Sequence, residues 1–124
     1  EVVKAYLAKH PSTLPRMSLM ELRSSANKTK WIKDEMERRL WLGEKWFLQL
    51  QMGKVEVVEA LDRIVKTLAV FLNYRERYYG IKARDEKIAL LGYQESKDGT
   101  AIKAKLSEYK TWWSVNKTKS ISVP

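Results

Sequence analysis

From Ile32 to Trp113, apolar side chains recur at steps of three and four residues, and Gly53, Gly80 and Gly99 fall between the runs. This combination of period and punctuation admits little except a set of α-helices, each with one face to bury. Ile32, Met36, Leu40, Gly43, Phe47 and Leu50 form a first stripe, which Gly53 closes. Val55, Val58, Leu61, Val65, Leu68 and Leu72 form a second, closed by Gly80. The spacing predicts long helices over about residues 29–52 and 54–79, with Asn27 ending a preceding helix and Thr29 capping the first long one. Ile88 and Leu91 mark a shorter helix over about 83–94, and the turn Lys97-Asp98-Gly99-Thr100 leads to a last stripe of Ile102, Leu106, Tyr109 and Trp113, with Thr100 as its cap.

The N-terminal region is organised differently. Residues 2–10 are short and basic and stop at Pro11, and Pro15 makes residues 11–16 an extended or kinked link. Ser18 and Glu21 have the spacing of a capping box for a short helix over 19–26. The chain therefore divides into a basic, Pro-interrupted N-terminal helical arm (1–30), a helical bundle (31–113) and a loose C-terminal tail (114–124). Amphipathic helices joined by short loops bury their stripes against one another, so the expected fold is an all-α, antiparallel, four-helix-type bundle carrying that arm.

Several kinds of chemistry are excluded or disfavoured. With no cysteine in its 124 residues, the chain has no thiolate zinc site, disulfide or cysteine nucleophile. Its one histidine, His10, stands beside Pro11 without a second imidazole to share a metal. Glycine-rich phosphate loops and serine elbows are missing. Asp34, Glu35 and Glu37 cluster as nuclease carboxylates sometimes do, but Lys30, Lys33, Arg38 and Arg39 stand four residues from them, which describes a charge-laced helix face. These features predict a protein that is not an enzyme and needs no cofactor and no metal. No apolar run approaches the roughly 20 residues that span a bilayer and no signal segment opens the chain, which predicts a soluble protein.

What remains is charge. The net charge of +9 calls for an anionic partner. It is unevenly spread: residues 1–33 hold seven cations (Lys4, Lys9, Arg16, Arg23, Lys28, Lys30 and Lys33) against two acids. Such an arm is suited to tracking phosphates while the bundle supplies stability. A second basic patch places Arg75, Arg77, Lys82 and Arg84 among Tyr74, Tyr78 and Tyr79 near a helix end. Those tyrosines either stack on bases or close the bundle. Trp31, Trp41, Trp46 and Trp112 fall beside the stripes, where they either widen the core or serve self-association.

The arm from Lys4 to Lys30 broken at Pro11 and Pro15, the cysteine-free helical bundle and the aromatic-rich surface together resemble the major coat proteins of filamentous archaeal DNA viruses. The resemblance spans the whole chain and rests on architecture. It implies genome packaging in a virion, by subunits that repeat along the nucleic acid as dimers or heterodimers and ignore its sequence. It also implies DNA and a second or related subunit as partners. Two other readings remain open. A helix-turn-helix regulator or packaging adaptor would use residues 18–26, a turn at 26–28 and a recognition helix over 29–39 presenting Thr29, Lys30 and Lys33, although Asp34, Glu35 and Glu37 on that helix repel phosphate. A peripheral membrane or helical adaptor protein would set Trp and Lys against an anionic surface, but the arm's weak amphipathicity argues against a membrane.

Overall fold

The computed structural model describes residues 25–121, with side chains from Lys28 onward. These residues form four helices and no strand: α1 (Ser25–Gln51), α2 (Val57–Tyr79), α3 (Arg84–Ser96) and α4 (Gly99–Asn116). The expected segment 2–10, the link 11–16 and the Ser18 and Glu21 capping box lie outside the described residues.

α1 runs without a break through Asn27 and Thr29, the positions expected to end one helix and cap another. Neither residue costs a helix more than about 0.7 kcal/mol relative to Ala. Contacts just beyond them outweigh that cost: Trp31 meets Tyr74 of α2 edge to face at 5.8 Å, and the Lys28 ammonium lies 5.8 Å from the Tyr78 ring. The first turns of α1 are thereby held against the last turns of α2. At its other end α1 stops where expected. Gly53 takes the left-handed conformation (φ 66°), its N–H donates to the Leu50 carbonyl, and the Lys54 N–H donates to that of Gln49.

The reversal occupies residues 52–56, so α2 begins at Val57 rather than Lys54. Val55 falls in the connection, Val58 is exposed, and from Leu61 onward the predicted stripe turns inward: Leu61, Val65, Leu68 and Leu72 are buried together with Ile64 and Phe71. On α4, Ile102, Leu106, Tyr109 and Trp113 are all buried, as their spacing predicts. Its cap is Asp98 rather than Thr100, because the Asp98 carboxylate accepts from the Ala101 N–H at 3.0 Å. α4 continues to Asn116 and Ile121 is buried, so the expected loose tail is in part helical and packed.

α3 departs furthest from its pattern. Its fully buried apolar residue is Leu90, while Ile88 and Leu91, the pair expected to face the core, are 55% and 52% exposed. Polar contacts set this rotation. Glu86 pairs with Arg75 of α2, and the Gln94 amide donates to the Asp62 carboxylate at 2.9 Å. Both lie on the Leu90 side of the helix, which leaves the 88/91 side outward.

The four helices run up, down, up and down. Gly99, opening α4, lies beside Leu50 at the end of α1 and Leu61 at the start of α2. At the opposite end the Tyr79 hydroxyl of α2 donates to the Asn116 carbonyl closing α4, at 3.2 Å. α1 and α2 share the most extensive interface. α1 and α4 approach closely at Gly43, where a Cβ would come within 3.1 Å of a Leu106 methyl. The core between α2 and α4 is aromatic, with Phe71 stacked on Tyr109 at 5.8 Å and meeting Trp112 and Trp113 edge-on.

Two outcomes test this packing. Leu68→Ala, at a fully buried position, lowers the unfolding free energy measured in urea by ~2–5 kcal/mol. Lys97 closes α3 in the left-handed conformation (φ 60°) that glycine adopts without strain, so Lys97→Gly raises stability by ~0.5–1 kcal/mol.

Candidate nucleic-acid interface

The topology brings the start of α1, the end of α2, the start of α3 and the end of α4 to one end of the bundle. Segments separated in sequence are thus assembled into one surface. Residues 28–39, 75–87 and 116–121 contribute twelve cations against six acids there. At the other end, residues 44–66 and 94–105 contribute seven cations against six acids. The excess charge of the described residues is therefore concentrated at one pole.

Within that pole the cations differ in availability. Lys30, Arg77, Lys82 and Arg84 are exposed, Lys33 is half-buried, and none has an ion-pair partner among the described residues. Lys28 and Arg77 lie 5.8 and 5.6 Å from the Tyr78 ring, so one aromatic side chain holds cations from α1 and α2 side by side. Lys87 and Lys117 belong to the same end but are engaged, with Glu76 at 3.5 Å and Glu37 at 3.9 Å. The Glu76 carboxylate also accepts from the Ala83 N–H at 3.0 Å, and that bond, followed by the pull of Lys87, holds its pKa below the usual carboxylate value. This clasp shapes the α2–α3 connection that carries Lys82. Lys4, Lys9, Arg16 and Arg23 lie outside the described residues, and the segment that bears them joins the bundle at this pole through Ser25.

Arg75 does not belong to the surface. It is 5% exposed, its guanidinium pairs with Glu86, and it lies 5.4 Å from the Tyr109 ring and 5.6 Å from that of Trp112. Enclosed in this way it is an internal ion pair and not a phosphate ligand. The signal was present in the sequence, because Arg75 falls on the stripe of Leu68 and Leu72, at the spacing of a buried position. Conversely, Lys87, Lys117 and Lys119 join the basic pole through topology alone, which a linear charge count does not contain.

The tyrosines also resolve. Tyr78 is buried and stacked on Tyr74 at 6.1 Å, and Tyr79 meets Trp112 edge-on at 5.1 Å while its hydroxyl is bonded to α4. Tyr74 and Tyr79 are half-buried, and all three pack into the closure of the bundle. Trp31 and Trp113 are buried, and Trp46 and Trp112 pack partly against the core. A groove of about 360 Å³ between α1 and α4 is lined by Trp41, Phe47, Leu48 and Leu106 and is bridged by the Lys110–Glu44 ion pair.

The turn expected at 26–28 for a helix-turn-helix lies inside the continuous α1, and the expected first helix lies almost entirely outside the described residues. Among the described residues no group of His, Cys, Asp and Glu has the arrangement of a metal site, and no helix is long and apolar enough to cross a membrane. In the acidic cluster, Glu35 pairs with Arg39 at 3.6 Å as the spacing predicts, whereas Glu37 faces Lys117 of the α4 end. Comparison of the chain with protein families, curated proteins and solved structures finds no match.

The buried phenol beneath Arg75 has a measurable consequence. Burial, with the Glu86 carboxylate beside it, raises the pKa of Tyr109 well above its ordinary 10.0. The folded state therefore keeps this proton while the unfolded chain releases it, and the resulting stability is present below about pH 10 and lost as pH rises further. The urea midpoint falls between about pH 9 and pH 11, and Tyr109→Phe makes that fall smaller. An identical fall in the variant would place the titrating group elsewhere.

Proposed function

We propose that the protein binds the phosphate backbone of nucleic acid, DNA foremost, without reading its sequence, as a structural packaging component and not as a catalyst. The observation that carries this reading is the charge asymmetry of the bundle. Lys28, Lys30, Lys33, Arg77 and Lys82 are gathered at the pole where the arm carrying Lys4, Lys9, Arg16 and Arg23 is attached. Surface cations without an ion-pair partner among the described residues neutralise phosphates and release condensed counterions, an attraction that is strong at low salt and blind to base identity. Tyrosines packed into the bundle and a bundle end that presents Lys and Arg favour backbone contacts over base readout.

The likeness to the coat proteins of filamentous archaeal DNA viruses extends this reading to genome packaging in a virion, with many copies laid along one nucleic acid. The arm would then follow the duplex, and the bundles would pack against one another outside it. Sequence indifference is what such a role requires, because each subunit meets a different stretch of genome.

The test is the salt dependence of binding to a duplex of random sequence. If the basic pole and arm together neutralise five phosphates, the slope of log K against log salt is about −4.5. Replacing Lys30, Arg77 and Lys82 together by Ala makes the slope shallower by about 2.7 if each contacts one phosphate. The melting temperature changes little, because exposed charges contribute little to folding. A flat salt response, or strong preference for one short sequence, would contradict the proposal.

A further inference from the structure

The outward side of α3 carries a stripe that the bundle leaves uncovered among the described residues. Arg84, Ile88, Leu91 and Glu95 follow one another at steps of four, three and four, so they share one helix face, and all four are exposed. Neither Arg84 nor Glu95 has an ion-pair partner among the described residues. Gly92 beside Leu91 adds no side chain to this face, and the space at its Cβ position is open.

The order of these residues is self-complementary. A twofold axis passing between Ala89 and Leu90 sets each residue of α3 opposite the residue equally far on the other side. Ile88 then meets Leu91 of a second copy, and Arg84 meets its Glu95. Both contacts occur twice, as a closed isologous interface requires. The spacing is that of an antiparallel helix pair, in which two apolar layers are flanked by opposite charges. Lys82 and Lys97 would be matched by the same operation, but both lie outside α3, where the backbone has left the helix axis.

We propose that α3 is a dimerisation surface whose occupant is α3 of a second copy of this chain. The pairing of Arg84 with the opposite Glu95 selects the antiparallel register, because a parallel pairing would set Arg84 against Arg84 and Glu95 against Glu95. One 13-residue helix is about 20 Å long, so the buried area falls below that of a standard stable interface and association is reversible. Arg84 stands at the margin of the basic pole, and the pairing withdraws it from the phosphate-binding set. Because the helices run antiparallel, the two basic poles point in opposite directions, and the dimer is built to bridge two segments of nucleic acid. That consequence rests on the proposed function; the dimer itself does not.

Sedimentation of the full chain without nucleic acid, from micromolar to submillimolar concentration, tests the interface separately from phosphate binding. The wild type shows a reversible monomer–dimer equilibrium, and Leu91→Glu sediments as a monomer with unchanged helical circular dichroism. Arg84→Glu and Glu95→Arg each weaken dimerisation by about tenfold or more, since each places two like-charge contacts in the interface. The double variant Arg84→Glu, Glu95→Arg restores the wild-type constant to within about threefold. If Leu91→Glu perturbs folding, the charge exchange still decides. A wild type that stays monomeric throughout would overturn the proposal. So would a Leu91→Glu dimer as tight as wild type, which would point to another surface such as the α1–α4 groove, or a double variant no tighter than the single ones.

Discussion

A guanidinium that is 5% exposed is stable only if its charge is met where it lies. Arg75 is met by Glu86 on the neighbouring helix and by the rings of Tyr109 and Trp112. Those contacts tie α2, α3 and α4 to one point. They also fix the rotation of α3, since bringing Glu86 to Arg75 turns Leu90 into the core and leaves Ile88 and Leu91 outside. An apolar pair at these positions would bury as much surface without specifying that rotation. The placement of the outward stripe and the path of the α2–α3 connection both follow from this one ion pair.

That connection belongs to the basic pole. The Glu76 carboxylate clasps the Ala83 N–H after Gly80 has closed α2, so residues 80–83, Lys82 among them, are held at this end. With α1 starting and α4 ending at the same pole, a chain of moderate overall charge becomes a bundle with one strongly positive end. The polarity is a product of topology, because the turns at the other end carry nearly as many acids as bases.

The sequence made the helical architecture legible because its period and its glycines agree. Leu61 through Leu72 and Ile102 through Trp113 are buried as their spacing predicts, and Gly53 and Gly80 end helices. It was less informative where polar side chains decide. Ile88 and Leu91 carry the period of a buried face, yet the Glu86 and Gln94 contacts override about two side chains' worth of apolar burial. Asn27 and Thr29 have the local chemistry of a stop and a cap, and the packing of Trp31 on Tyr74 carries the helix through them. Asp98 caps α4 two residues before the expected Thr100, because the Lys97 turn delivers its carboxylate to the Ala101 amide. Of the candidate site, Lys28, Lys30, Lys33, Arg77, Lys82 and Arg84 could be read from the sequence as surface cations. That they share one pole with Lys117 and Lys119 could not, since it depends on how the helices pair.

The most direct test of a polar nucleic-acid-binding bundle is a residue-resolved amide NMR titration of the full chain with a short duplex of random sequence. Shifts confined to the pole of residues 28–33, 77–84 and 117–119, within the described residues, with those of 51–59 and 95–101 unmoved, are the predicted result. Shifts centred on the opposite pole, or on the groove between α1 and α4, would contradict it.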